Sequence, residues 1–330
     1  MRASHTSRFT RTLAATAGAA ALTVVLALPG QAATVDRIAG DDRIATGLAV
    51  YEWNRPVFTS DAVVLTRADQ FADALAAAPL AAAMKAPVLS TFPRSIDGRV
   101  LAAMKRQKVE RVVIVGGASA VSEAAAAQLR AASFTVERIA GTDRFTTAEA
   151  VAKKTVNHLP RSRVPVYVAD GLKPHDALIA GAVAGHHEGV VLLSAGRTLK
   201  PSTRQLAASD MASGRIGVGA AGTAALQPLG LPESVSGSTP ELTSANAGKW
   251  WYRSASSVVV ASAGGWADAL SAAPLAALTR APLILVGPGS LTPQTRAYLG
   301  SSRATKATIL GGHIAVSPTL AKQVGAAMPK

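Results

Sequence analysis

The chain has no cysteine in its 330 residues. Disulfide frameworks, thiolate nucleophiles and cysteine-held zinc are therefore excluded. Aromatic residues make up only 4% of the sequence, which leaves little surface for stacking on bases or sugars. Histidine is scarce too: His5 lies near the start, and His186-His187 has no acidic neighbour at ligand spacing except Glu188. No His-Glu-x-x-His stretch and no Gly-x-Ser-x-Gly elbow occurs, so two common hydrolase signatures are missing. Beyond Leu28 no apolar run approaches the roughly 20 residues that a membrane span requires. These gaps predict neither a cofactor nor a bound metal.

What is present is a finely grained apolar chain. Hydrophobic residues account for 49%, chiefly Ala, Val and Leu, and the length suits two or three domains with buried cores. Arg2, Arg8 and Arg11 precede an apolar run from Leu13 to Leu28, and Pro29-Gly30 and small residues follow, ending at Ala32-Ala33. That order predicts a secretory signal over residues 1–33, with an uncleaved anchor as the competing reading. Of 34 basic residues this segment holds three arginines and no acid, so 31 remain against 20 acidic residues, a net +11. A basic exported chain attracts polyanions, although the charge alone fits an ordinary solvated surface equally well.

Repetition organises the rest. Phe71-Ala-Asp73-Ala-Leu75 opens an Ala-rich stretch, returns as Trp266-Ala-Asp268-Ala-Leu270, and survives in worn form as His175-Asp176-Ala177-Leu178. Asp73 to Asp268, Pro79 to Pro274, Pro87 to Pro282 and Gly117 to Gly312 all share an offset of 195, while Asp73 to Asp176 and Gly116 to Gly219 share 103. Each unit alternates short β-branched runs with helical stretches. The expectation is an α/β fold of three tandem Rossmann-like modules with mainly parallel sheets. The boundaries expected are 34–137, 138–235 and 236–330. The first two units open with Arg37-Ile-Ala-Gly40-Asp-Asp42-Arg43 and Arg138-Ile-Ala-Gly141-Thr-Asp143-Arg144, whose aspartates read as N-caps. The third lacks that opening. Its Ser/Thr/Pro/Gly-rich stretch from Pro232 to Gly248 reads as a linker, and Trp250-Trp251-Tyr252 as an irregular packing or contact element.

Ligands in open α/β sheets bind off the carboxyl ends of the strands. The candidate ligand-binding residues there are Arg43, Arg144, Asp73, Asp176, Asp268, Gly116, Gly117, Gly311 and Gly312. The glycines suit close backbone approach and offer amides to an anion, or serve turn geometry alone. The aspartates also suit capping at the positive end of a helix. Arg43 and Arg144 sit where a helix dipole opposes a cation, so a carboxylate or an anionic ligand is expected beside each. Gly217-Val-Gly219-Ala-Ala-Gly222 satisfies a dinucleotide fingerprint, but only one worn repeat carries it, and no such cofactor is expected. No catalytic residues are assigned. A catalytic carboxylate pair needs two different environments, whereas a motif copied three times repeats one. Repeated weak sites suit a polymer.

The Arg-Ile-Ala-Gly-x-Asp-Arg opening, the Phe/Trp-Ala-Asp-Ala-Leu helix, the Ala-Pro-Val/Leu-Leu strand and the Val-Ile-Val-Gly-Gly-x-x-Ala-Val-Ser turn together resemble the cell wall-binding repeat 2 family. The resemblance covers nearly all of the chain after residue 33. It implies three modules around a pseudo-threefold axis, on an exported Gram-positive protein held non-covalently to an anionic wall polymer, teichoic-type or acidic polysaccharide. It also implies wall localisation, no specific nucleic acid and no membrane span after signal cleavage. Two alternatives remain open: an amidase-like hydrolase acting on peptidoglycan, for which the repeats leave no separate domain, and an interaction module that docks another exported protein through the Trp250-Trp251-Tyr252 patch.

Overall fold

Apolar runs bounded by Gly, Pro and capping residues become strands buried on both faces, each followed by a helix that covers its sheet. The computed structural model describes residues 33–230 and 232–329; the segment read as a signal lies outside the described residues apart from Ala33. The first repeat contributes β1 (Thr34–Ile38), α1 (Arg43–Trp53), β2 (Ala62–Arg67), α2 (Ala77–Ala83), β3 (Val88–Thr91), α3 (Gly98–Arg106), β4 (Arg111–Val115) and α4 (Glu123–Ala131). The second runs β5 (Thr135–Ile139), α5 (Arg144–Val156), β6 (Val164–Asp170), α6 (Pro174–His186), β7 (Val190–Ser194), α7 (Pro201–Ala208), β8 (Ala212–Val218) and α8 (Gly219–Leu226). The third runs β9 (Glu233–Val235), α9 (Pro240–Trp251), β10 (Ser257–Ser262), α10 (Ala267–Leu278), β11 (Leu283–Val286), α11 (Pro293–Ser301), β12 (Lys306–Leu310) and α12 (Pro318–Ala327).

These strands form three parallel four-stranded sheets, ordered β3-β2-β4-β5, β7-β6-β8-β9 and β1-β12-β10-β11. Sheet and repeat are therefore out of phase. Each repeat's opening strand completes the sheet of the repeat before it, and the first repeat's β1 closes the sheet of the third. Thr34 pairs with Lys306 and Ile38 with Leu310, in the register by which Thr135 pairs with Arg111 and Ile139 with Val115. Arg37 reinforces the closure: its guanidinium donates to the carbonyls of Gly311 at 2.6 Å, Gly312 at 3.1 Å and Val316 at 2.7 Å. Arg138 donates similarly to the Gly116 carbonyl at 3.0 Å.

The three helices of the Asp-Ala-Leu segments, α2, α6 and α10, pack against one another at the middle, although in the first repeat the motif itself precedes α2 and Ala74–Ala76 form a 3-10 turn. Small residues permit this approach. A Cβ on Gly185 would lie 2.8 Å from the Ala277 Cβ and 2.9 Å from the Ala82 Cβ, so the middle helix has no room for a side chain there. The worn features of the second repeat are also coupled. A Cβ on Gly189, at the place of Pro87 and Pro282 in the sheet, would meet the Tyr167 ring at 3.0 Å.

The stretch expected to be a linker is ordered: it forms β9 and the start of α9. Thr239 caps α9 by accepting from the Leu242 amide, as Asp42 accepts from Ala45 in α1 and Asp143 from Thr146 in α5. Val235-Ser-Gly237-Ser-Thr239-Pro240 is thus the missing third opening, with Thr for Asp at the cap and Pro for Arg after it. The following aromatics finish this helix. Tyr252 is buried and stacks on His186, Trp251 meets Tyr167 edge-on, and Trp250 is exposed. Two of the three rings therefore belong to packing, which removes the patch as a three-ring docking surface.

Candidate functional site

The strand-end features meet where one repeat joins the next. In each opening a glycine amide donates to a buried threonine hydroxyl at 3.1 Å: Gly40 to Thr46, Gly141 to Thr147 and Gly237 to Thr243. The Thr147 hydroxyl in turn lies near enough to Asp73 of the first repeat, and that of Thr243 to Asp176 of the second, to oppose the rise in each carboxyl's pKa. The aspartates also press on the left-handed glycines that end the third strands. A Cβ on Gly116 (φ +119°) would stand 2.9 Å from an Asp73 carboxylate oxygen, and at Gly219 and Gly311 the Asp176 and Asp268 oxygens come closer still. Asp73 and Asp176 therefore lie at joints between repeats, whereas Asp268 presses on a glycine of its own repeat. Burial raises the pKa of all three, most for Asp176, which reaches about 6.

Arg43 and Arg144 also cross these joints. Arg43 donates to the Ala68 carbonyl at 2.8 Å and lies 5.2 Å from the Trp266 ring centroid, in the third repeat. Arg144 donates to Gly171 O at 2.8 Å and lies 5.6 Å from the Phe71 centroid, in the first. Neither arginine forms an ion pair among the described residues, but their charges are felt: that of Arg144 lowers the pKa of Asp73, and that of Arg43 lowers the pKa of Asp268, in each case against the larger effect of burial. Arg, aromatic ring and Asp thus come from adjacent repeats. The set is complete at two of the three junctions, including the one that closes the ring; at the remaining one Pro240 and His175 stand in the Arg and aromatic places.

The two glycine pairs divide. The Gly116 and Gly311 amides, expected to be available to an anion, donate to Ile139 O and Ile38 O of the adjoining opening strands. A Cβ on Gly117 or Gly312 would meet nothing within 4 Å. Gly312 lines a cleft of about 780 Å³ at the junction of the third repeat with the first, together with Asp41, Arg43, Trp266, Asp268 and His313. Ile314, also at this cleft, is fully exposed. Arg43 is exposed as well, whereas Arg144 is half-buried. The dinucleotide-like glycines offer no phosphate cradle. A Cβ on Gly217 would meet Thr223 at 2.4 Å, and one on Gly222 would meet Val168 O at 2.1 Å, so the chain itself fills that space. Among the described residues no group of three or more His, Asp or Glu is placed to hold a metal ion, and no helix is long and apolar enough to cross a membrane.

The model of the cell wall binding domain 2 family matches three times, over residues 37–126, 138–227 and 234–321. The chain belongs to this family. It is 27% identical over 294 residues to the N-acetylmuramoyl-L-alanine amidase LytC of Bacillus subtilis (strain 168), a match covering 88% of this chain and 58% of that protein. It is 29% identical over 164 residues to the amidase enhancer of the same organism, covering 49% of this chain and 22% of the relative. The chain thus spans little more than half of the first relative and about a fifth of the second. Among solved structures, Cwp6 from Clostridium difficile superposes with a TM-score of 0.82 at 24% identity, covering 91% of this chain and 48% of that one. Cwp8 from the same organism gives 0.79 at 24% identity, covering 89% and 52%. These similarities establish the α/β three-module fold. The sequence signal that could have located the junction sites was the Thr shared by all three openings, Thr46, Thr147 and Thr243.

Proposed function

We propose that the chain is an exported, non-catalytic protein that attaches non-covalently to an anionic polymer of the cell wall. Membership of a cell-wall-binding family supports the wall as target, and the net charge of +11 left after residue 33 is compatible with an acidic polymer. The observation that carries the reading is the setting of Arg43. Its guanidinium is fixed by Ala68 O and the Trp266 ring at an open cleft. One of its five N–H donors has a protein acceptor among the described residues. The others face no such acceptor and suit a phosphate or carboxylate of the polymer, while Asp41 and Asp268 in the same cleft accept from hydroxyls. Arg144 with Phe71 and Asp73 provides a second, more enclosed copy. Two weak sites on one rigid ring gain from effective concentration on a repeating ligand.

Arg43→Ala in the full chain should weaken retention on purified walls about 10-fold, the loss expected for one charge-assisted contact. Arg43→Lys should recover part of it, because a point charge replaces the planar fork. Equal retention by Arg43→Ala and the parent would contradict this site. New reducing ends or free amino groups released from peptidoglycan by the protein would overturn the non-catalytic part of the reading.

A further inference from the structure

The charge of the molecule is unevenly placed. No Asp or Glu occurs between Ala269 and Lys330, and from Ser236 onward the only acids are Glu241 and Asp268. In a parallel sheet the loops that lead from helices into strands lie together at the amino edge, opposite the junction clefts. In the third sheet the loop into β12 carries Arg303, that into β10 carries Arg253 and that into β11 carries Arg280. These strands are consecutive neighbours in the sheet, so the three loops succeed one another at a strand spacing of about 4.8 Å. Lys249 and Trp250 end α9, which packs against β11. All five residues are exposed, Trp250 by 56%. None of the four cations joins an ion pair among the described residues; Lys306 at the same edge is paired with Asp36.

Cations at helix C-termini complement the helix dipole, and that accounts for Lys249 in the last turn of α9. Arg253, Arg280 and Arg303 each directly follow a helix C-cap and gain from the same effect, but it does not explain the lack of any acid among them to offset their repulsion. At the opposite edge of the same sheet the loop after β1 carries Asp41 and Asp42 beside Arg43.

We infer that this amino edge of the third module is a second polyanion site, separate from the junction clefts, for a linear sugar-phosphate polymer. Arg253, Arg280, Arg303 and Lys249 hold successive phosphodiesters, and the exposed Trp250 ring covers a sugar face. The inference rests on wall-polymer binding as the function but not on Arg43 or Arg144 as its site. The contacts at this edge are exposed charge pairs, so they govern the salt-dependent part of binding.

The probe is soluble poly(ribitol phosphate) bearing N-acetylglucosamine, titrated with the full chain over a salt series. The Arg253→Gln/Arg280→Gln/Arg303→Gln variant should bind at least 10-fold more weakly at low salt. It should also lower the slope of log affinity against log salt by about two, from three lost phosphate contacts. The corresponding triple Lys variant should keep both values near the parent's, which separates lost charge from lost folding. An unchanged slope in the Gln variant would overturn the site while leaving the clefts as the binding surface. Equally tight, Arg-dependent binding to phosphatidylglycerol vesicles would overturn the polymer in favour of a lipid surface. Failure of the parent chain to bind walls at all would refute the wall-binding reading itself.

Discussion

Deleting residues 33–38 should destabilise the folded chain by on the order of 5 kcal/mol. The deletion removes the whole β1 ladder with β12, the three carbonyl contacts of Arg37 and the buried Ile38 side chain. Burying an isoleucine and giving a charged donor its acceptors each contribute about 2 kcal/mol or more. The exposed β12 edge that remains is a template for aggregation. A control distinguishes topology from mere loss of residues. Met328, Pro329 and Ala33 would join the end of α12 to the start of β1, and three residues likewise join α4 to β5. A Cβ on Gly325 of α12 would already stand 2.9 Å from a Val35 methyl. A permuted chain that starts at Ala39 and carries residues 33–38 after Pro329 should therefore regain stability to within about 1 kcal/mol. Chemical denaturation of the three chains provides the check. If the permuted chain stayed as unstable as the deletion, β1 would not be the closing strand of the third sheet.

Asp176 should give the protein a pH dependence with the reverse of the usual carboxylate sign. Its pKa is raised from the ordinary 3.8 to about 6, chiefly by burial; the Thr243 hydroxyl opposes the rise, Asp170 adds to it, and Lys173 opposes it. Between those two pH values the folded state binds more protons than the unfolded state. Stability from this group is thus greatest at the acid end, falls as pH rises from about 4 to about 6, and is level above. The amplitude is on the order of 2 kcal/mol. His186 works in the other direction, because burial, His187 and Arg280 lower its pKa to about 4. Its contribution is complete above about 6.5 and is lost as pH falls toward 4. The two slopes partly cancel in the parent, so the variant is the informative measurement. Asp176→Asn keeps an acceptor for Thr243 and removes the titration. Its stability relative to the parent should rise between pH 4 and pH 6 and remain higher, by 1–2 kcal/mol, at pH 7. A constant difference across that range would place the titration elsewhere.

The architecture was legible because the repeats keep their landmarks at constant offsets. The aspartate caps at Asp42 and Asp143 were legible because capping demands a particular side chain at a particular place. The third opening was hidden for the same physical reason. Thr239 performs the cap that Asp performs elsewhere, and Pro240 tolerates the first helical position where Arg stands in the other copies. Residue identity changed while the function of each position persisted, so the stretch read as a linker.

The candidate residues were identified by their place at the ends of strands, but their pairings were not. Asp73 and Arg144 lie 71 positions apart in the chain and share a junction, whereas Asp268 meets Arg43 only because the ring closes. Nothing local in either motif records that Arg, aromatic ring and Asp come from different repeats. The amides of Gly116 and Gly311 likewise read as available because their acceptors, Ile139 O and Ile38 O, belong to the exchanged strand. Strand exchange is a long-range property, set by which edge a sheet leaves unpaired, and it leaves little trace in composition or periodicity.

The central claim is attachment through an anionic polymer, and the most direct measurement is retention of the protein on purified cell walls before and after chemical extraction of that polymer, at about 0.15 M salt where exposed charges are still felt over roughly 8 Å. Binding should be strong on intact walls, fall by at least 10-fold after extraction and decline steeply with added salt. Undiminished retention on extracted walls would show that the protein holds the peptidoglycan itself or another neutral component, and would contradict the account.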